Sequence, residues 1–158
     1  MEFKSGSIDG VFIQELVQHN DSRGWLIELF RCDVVAAEYL PAMSYVSSTK
    51  PGIARGPHEH RDQADMFCFV GPSTFRLYMW DSRKSSPTYG NKMVFEAGES
   101  KPTAVIIPAG VVHAYKNVGD DDGWVLNFPN RLYGGRGKKD PVDEIRYESD
   151  PNSPFKLD

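Results

Sequence analysis

The sequence predicts an all-β domain folded as a closed barrel or two-sheet sandwich. Two observations carry this. Short apolar or alternating runs recur along the chain with turn residues between them, as expected for many short strands of a barrel or jelly roll. Only one segment, 33–40, has a helical pattern, with Asp33 as N-cap and Pro41 as stop.

Taken in order, strands are predicted at 11–17, 25–30, 43–48, 66–70, 75–80, 92–96, 104–107, 111–116 and 124–128. The run from Phe75 to Trp80 shows why: Phe75, Leu77 and Met79 alternate with Arg76, Tyr78 and Trp80, the period of two of a strand. Turns are expected at 20–24, 71–73 and 119–123, where Gly, Pro, Asn and Asp cluster. Pro108 and Gly110 form a tight turn between two strands. The tail from Gly134, rich in Gly, Lys, Asp and Pro, is either a wrapped extension or partly mobile. No internal repeat or domain boundary is visible, so residues 1–158 read as one domain, with barrel strands over 8–133 and an extension over 134–158.

Composition narrows the function classes. A chain of 158 residues is long enough for one real core. No run approaches the roughly 20 apolar residues that span a bilayer, and the N-terminus lacks a secretory apolar region. A net charge of −4 argues against a general nucleic-acid binder. Cys32 and Cys68 form no C-x-x-C pair and are expected as buried thiols in a reducing cytoplasm.

Three of the four histidines fall in two short segments. Gly52, His58, His60, Asp65 and Gly71 fit G-x5-H-x-H-x4-D followed by Gly, and Pro108, Gly110, His113 and Asn117 fit P-x-G-x-x-H-x3-N. This double pattern resembles the cupin barrels, which implies an interior site on barrel strands. His58 and His60, two residues apart, share one strand face. Imidazole serves near neutral pH as either a base or a metal ligand, so two chemistries compete. One is a metal-free proton-transfer site. The other is a cage of His58, His60, Asp65 and His113 for a divalent Fe, Mn, Ni or Zn. The metal reading ranks second, because metal cupins use Glu where Asp65 stands.

Further pieces are more specific. His19 to Phe30 contains Asp21, Arg23, Gly24 and Glu28; Arg55-Gly56-Pro57-His58 follows. Asp81-Ser82-Arg83-Lys84-Ser85-Ser86-Pro87-Thr88-Tyr89-Gly90, then Ile107 to Ala114, then Asn130 to Tyr133 complete the series. Over about two thirds of the chain this resembles the dTDP-4-dehydrorhamnose 3,5-epimerase family. The resemblance implies a cofactor-free cytoplasmic isomerase of polysaccharide biosynthesis. Its substrate would be a nucleotide-diphosphate-linked 4-keto-6-deoxy sugar, epimerised by proton removal and return beside the ketone. It implies His58 as base, Tyr133 as acid across the sugar, and Arg55 and His113 as cavity residues. Arg23 and Glu28 would contact the nucleotide, and Arg83 a phosphate. It also implies a homodimer formed through the strand at 11–17, with no membrane or nucleic-acid partner.

The chain departs from that family in three places. No Lys follows His58 to stabilise an enolate, His60 stands where the family has Gln, and the tail is expected to fall short of the Asp that backs the catalytic His. His-x-His belongs instead to related 3,4-ketoisomerases, whose two imidazoles share proton shuttling. The alternatives are therefore a 3,4-ketoisomerase, a metal-dependent cupin, and a sugar-nucleotide-binding barrel without activity. Plainer readings apply elsewhere. His19 reads as a turn residue, Asp81 to Lys84 as an exposed hairpin end, Trp25, Trp80 and Trp124 as core or interface fillers. Asp120 to Asp122 and Lys138 to Asp140 read as solvated loops.

Overall fold

The computed structural model describes residues 2–158. Its strands are β1 (Lys4–Ser5), β2 (Phe12–Glu15), β3 (Gln18–Asp21), β4 (Gly24–Ile27), β5 (Tyr45–Thr49), β6 (Ala54–Glu59), β7 (Asp65–Phe69), β8 (Thr74–Asp81), β9 (Asn91–Gly98), β10 (Thr103–Ile107), β11 (Val111–Asn117), β12 (Gly123–Asn127) and β13 (Ile145–Arg146). They build a six-stranded sheet ordered β1-β9-β8-β11-β6-β13, facing a five-stranded sheet ordered β2-β10-β7-β12-β5; β3 and β4 form a separate hairpin. The expected all-β cupin architecture is what the chain adopts. All nine predicted strands are present, each end within three residues of its expected position.

The core follows from alternation. Phe75, Leu77 and Met79 of β8, Val111 and Tyr115 of β11, Phe67 and Phe69 of β7, Val105 and Ile107 of β10, and Val125 of β12 fill the space between the sheets. Each such side chain contributes roughly 1.5–3 kcal/mol by leaving water. Tyr78 and Trp80, on the other face of β8, are also buried. Phe155 packs on them together with Tyr147, Leu157 and Phe3. The tail is therefore a wrapped extension: β13 pairs with β6, matching Ile145 to Glu59 and Arg146 to His58.

Two expectations need correction, and one strand was not anticipated from alternation. The segment 33–40 contains only a 3₁₀ turn at Ala37–Tyr39, and Asp33 caps nothing; it pairs with Arg31 at 2.5 Å. That local ion pair and Pro41 leave too short a stretch for an α-helix to nucleate. Cys32 is exposed, whereas Cys68 is buried and its thiol is pushed up to about 12 by burial. The strand that carries His58, β6, escaped pattern reading because Gly56-Pro57 interrupts its alternation.

That interruption positions the site. His113 of β11 lies opposite His58 and Tyr115 opposite Arg55, with a register shift between them. Three steps on β6 therefore match two on β11, a bulge that turns Arg55 to the same side as His58. Gly56 makes it: its φ is +83°, and a Cβ there would lie 2.6 Å from the His113 carbonyl oxygen. Gly56→Ala should lower unfolding stability by about 1–3 kcal/mol. Urea unfolding would read this; an unchanged midpoint would show that the bulge tolerates a side chain.

Candidate active site

The inner faces of β6, β7 and β11 converge at one end of the barrel. His58, His60, Asp65 and His113 each present a ligand atom there, all within 4.8 Å of one another. The rings of His58 and His113 lie 4.4 Å apart between centroids, and Phe67 closes the inner side against His113 at 5.6 Å. Asp65, His60 and His113 are buried.

Asp65 anchors the cluster. Its Oδ1 accepts from the Gln63 side chain at 3.0 Å and from Asn127 at 3.0 Å; Asn127 also donates to the Tyr45 hydroxyl at 2.9 Å. Its Oδ2 lies 3.0 Å from His60 Nε2 and 3.3 Å from His113 Nε2. These are ion-pair distances without hydrogen-bond alignment, so Asp65 Oδ2 and His113 Nε2 have no hydrogen-bond partner. Burial works to raise the Asp65 pKa, but the two imidazoles outweigh it and hold the carboxyl below the usual range.

Both of those imidazoles are oriented through Nδ1. His113 Nδ1 donates to the Val111 carbonyl at 3.0 Å, and His60 Nδ1 donates to the Asp143 carbonyl. Burial opposes protonation of His60, yet the Asp65 carboxylate and the Asp143 carbonyl prevail and its pKa lies above the ordinary value. Asp143, eighty residues downstream, also fixes the loop after β6. Its carboxylate accepts from the backbone N–H of Arg61 and Asp62 at 2.8 Å and of Gln63 at 3.0 Å.

His58 differs from its neighbours. Among the described residues no hydrogen bond engages its ring. Burial first, and then the neighbouring His113 and His60, lower its pKa to about 2, which keeps the imidazole neutral with a free lone pair. It opens onto a cavity of about 1390 Å³ whose wall also includes Arg55, His60, Tyr45, Tyr115 and Tyr133. Residues of the tail, among them Arg136, Lys138, Glu144 and Arg146, also line it.

Sequence-predicted site residues divide accordingly. His58, His60, Arg55 and Tyr133 share the cavity. His113 does not line it, because inward projection from the middle of β11 buries it behind His58. Arg55 is held by the Thr49 hydroxyl and Ser48 carbonyl, each at 2.9 Å. Arg23 and Glu28 stand on the exposed β3–β4 hairpin and its exit, paired with Asp21 and Arg31, outside this chain's cavity wall. Arg83 is also outside it. Its guanidinium is bound to Asp81 at 2.9 Å and to the Asp9 carbonyl at 2.7 Å. Lys138, read as solvated, is exposed and lies on the cavity wall. Asp143, Gln63 and Asn127 were missed, since their positions carry no local signal.

A facing-sheet barrel with an imidazole, a tyrosine and arginines around one cavity defines an acid–base enzyme of the cupin-fold isomerase class. Comparison makes this specific: residues 5–133 match the profile of the dTDP-4-dehydrorhamnose 3,5-epimerase family. The chain is 37% identical over 140 residues to the probable low-salt glycan biosynthesis epimerase Agl13 of Haloferax volcanii, covering 87% of this chain and 86% of that protein. It is 32% identical over 139 residues to the spore coat polysaccharide biosynthesis protein SpsL of Bacillus subtilis, covering 88% of each. Among solved structures, ChmJ, a 3′-monoepimerase from Streptomyces bikiniensis in complex with dTDP-quinovose, superimposes with a TM-score of 0.76. It is 26% identical, with 91% of this chain and 72% of that one covered. The chain belongs to the dTDP-4-dehydrorhamnose 3,5-epimerase family and is a sugar-nucleotide epimerase. Among the described residues, no helix is long and apolar enough to cross a membrane.

Proposed function

We propose that this enzyme epimerises a dTDP-linked 4-keto-6-deoxy sugar next to its ketone, with His58 as base and Tyr133 as the opposing acid. The supporting observation is that the unengaged, neutral His58 ring and Tyr133 line the same cavity. His58 takes the proton from the carbon beside the ketone, and the C–H electron pair moves to the ketone oxygen. Tyr133 returns a proton to the other face. Arg55 is held ready for a sugar or phosphate oxygen, and Arg136 and Lys138 bring positive charge to the rim for the diphosphate. The product would serve cytoplasmic polysaccharide synthesis, in keeping with the names of the curated relatives. Incubation with dTDP-4-keto-6-deoxyglucose in deuterated water should place deuterium on a carbon flanking the ketone; absence of exchange there and with related nucleotide sugars would refute this reading.

The 3,4-ketoisomerase alternative asks for a second free imidazole. His60 has both ring nitrogens engaged, one by the Asp143 carbonyl and one beside Asp65, which favours epimerisation.

The reading includes a homodimer. On the outer face of the five-stranded sheet, Phe12 pairs through Ile106 with Met66, and Cys68 pairs with Leu126 and so with Val46. The centre of this face is covered by Ile27, Leu29 and Phe128, but Phe12, Val46 and Trp124 remain 56%, 61% and 53% exposed. Such an apolar face suits a second copy, and its adjoining hairpin would carry Arg23 and Glu28 toward the partner's cavity. Sedimentation should show two copies, reduced to one by Val46→Arg with Trp124→Arg; a monomeric parent protein would remove the proposal.

A further inference from the structure

We propose that Tyr45 is a further catalytic residue of this site, its hydroxyl donating a hydrogen bond to the sugar ketone and to the enolate oxygen that forms from it. The role deepens the epimerase reading and rests on it. Tyr45 lies directly opposite Asn127 across β5 and β12, and Asn127 opposite Phe67 across β12 and β7. Residues directly opposite one another in an antiparallel pair share a sheet face, so all three project into the barrel from the five-stranded sheet. Phe67 meets His113, and His113 stands opposite His58 on the other sheet. Tyr45 and His58 therefore reach the cavity from facing sheets, and both line it.

The direction of the Tyr45 proton follows from Asn127. That side chain is buried, and its Nδ2 lies 3.0 Å from Asp65 Oδ1. Exchanging the amide nitrogen and oxygen would set an acceptor against a carboxylate, so the nitrogen faces Asp65. An amide nitrogen carries two hydrogens. One goes to Asp65, and the other goes to the Tyr45 hydroxyl at 2.9 Å. The phenol oxygen is thus an acceptor toward Asn127. Its own hydrogen meets no acceptor among the described residues and is left for the cavity. Neighbouring hydroxyls are less committed: Ser47 and Tyr115 face each other at 3.3 Å, and either can donate.

The phenol also stays protonated. Burial, opposed by the hydrogen bond from Asn127, pushes its pKa up to about 12, so it remains a donor wherever His58 is a neutral base. Being uncharged, it costs less to bury than an ammonium group. When His58 removes the carbon-bound proton, the C–H electron pair forms the C=C bond and the carbonyl pair moves onto oxygen. The Tyr45 hydrogen bond strengthens as that charge grows, which lowers the barrier rather than merely tightening binding. Tyr45 keeps its proton throughout; Tyr133 supplies the one that returns to carbon.

The test is Tyr45→Phe in the full chain, which removes the hydroxyl alone. The variant should stay folded and melt within about 5 °C of the parent, since one neutral hydrogen bond is lost. In deuterated water, kcat for exchange beside the ketone should fall by about 10²–10³-fold, the usual cost of losing one such donor, with KM changed by no more than a few-fold. Fluorotyrosine placed at position 45 keeps the hydroxyl and should restore exchange to within a few-fold of the parent. Exchange in Tyr45→Phe within a few-fold of the parent would overturn the role, and loss of inversion alone would make Tyr45 an acid instead. A rate loss carried by KM, or one that fluorotyrosine fails to restore, would also overturn it. Parent exchange separates the two proposals. Its absence refutes the epimerase and this role together, whereas its presence with an unaffected variant removes Tyr45 only.

Discussion

His58→Ala should abolish deuterium incorporation beside the sugar ketone, with a fall of at least about 10²–10⁴-fold, the usual contribution of a positioned proton-transfer group. The geometry makes the loss specific. His60 and His113 both point Nδ1 at backbone carbonyls and Nε2 at Asp65, so neither can take over when His58 is removed. Tyr133→Phe should behave differently: exchange persists because the base remains, but net inversion fails because no proton returns from the opposite face. The pair is read by following label and stereochemistry in one incubation. Exchange retained within a few-fold in His58→Ala would move the base elsewhere in the cavity.

Asp81→Asn should cost about 3 kcal/mol in urea unfolding at neutral pH, near the low end for breaking a buried charged pair. The Asp81 carboxylate is fully buried. It accepts from Arg83 Nε and Nη2 at 2.9 Å, Thr88 Oγ1 at 2.6 Å and Ser86 Oγ at 2.5 Å. The lower end applies because Arg83 is partly exposed and can be rehydrated. Burial tends to raise the Asp81 pKa, but these donors outweigh it and hold it well below the usual carboxylate range. A carboxyl depressed on folding contributes its stability in full above the unfolded value of about 3.9, and loses it as pH falls from there toward the folded value. The variant lacks this dependence, so the gap to the parent should narrow between pH 7 and pH 3. A gap constant over that range would show that the loss is one of packing rather than charge.

The segment from Asp81 to Gly90 shows how sequence and structure divide the information. Its residue order marked the family, yet nothing in that order foretold that Arg83 ties β8 to Asp9 near the N-terminus. Sequence recognises which residues recur together; it does not say whether a guanidinium meets a ligand or a neighbouring carboxylate. The strands were legible because period-two alternation is a local property. β6 was not, because its bulge at Gly56-Pro57 breaks the period while serving the site. Asp143 was invisible for another reason: its contacts with the loop after β6 span about eighty residues, and no local spacing encodes them.

By itself, then, the sequence determined the all-β barrel, the family, and the convergence of His58, His60, Asp65 and His113, since strand alternation points their side chains inward. Only the tertiary structure decided how those four divide their work. Which imidazole has a free lone pair depends on which backbone carbonyl reaches its other nitrogen, and those carbonyls belong to Val111 on β11 and Asp143 in the wrapped tail. A hydrogen bond depends on distance and direction in space, so His58 was left open to the cavity and the other two were turned toward Asp65.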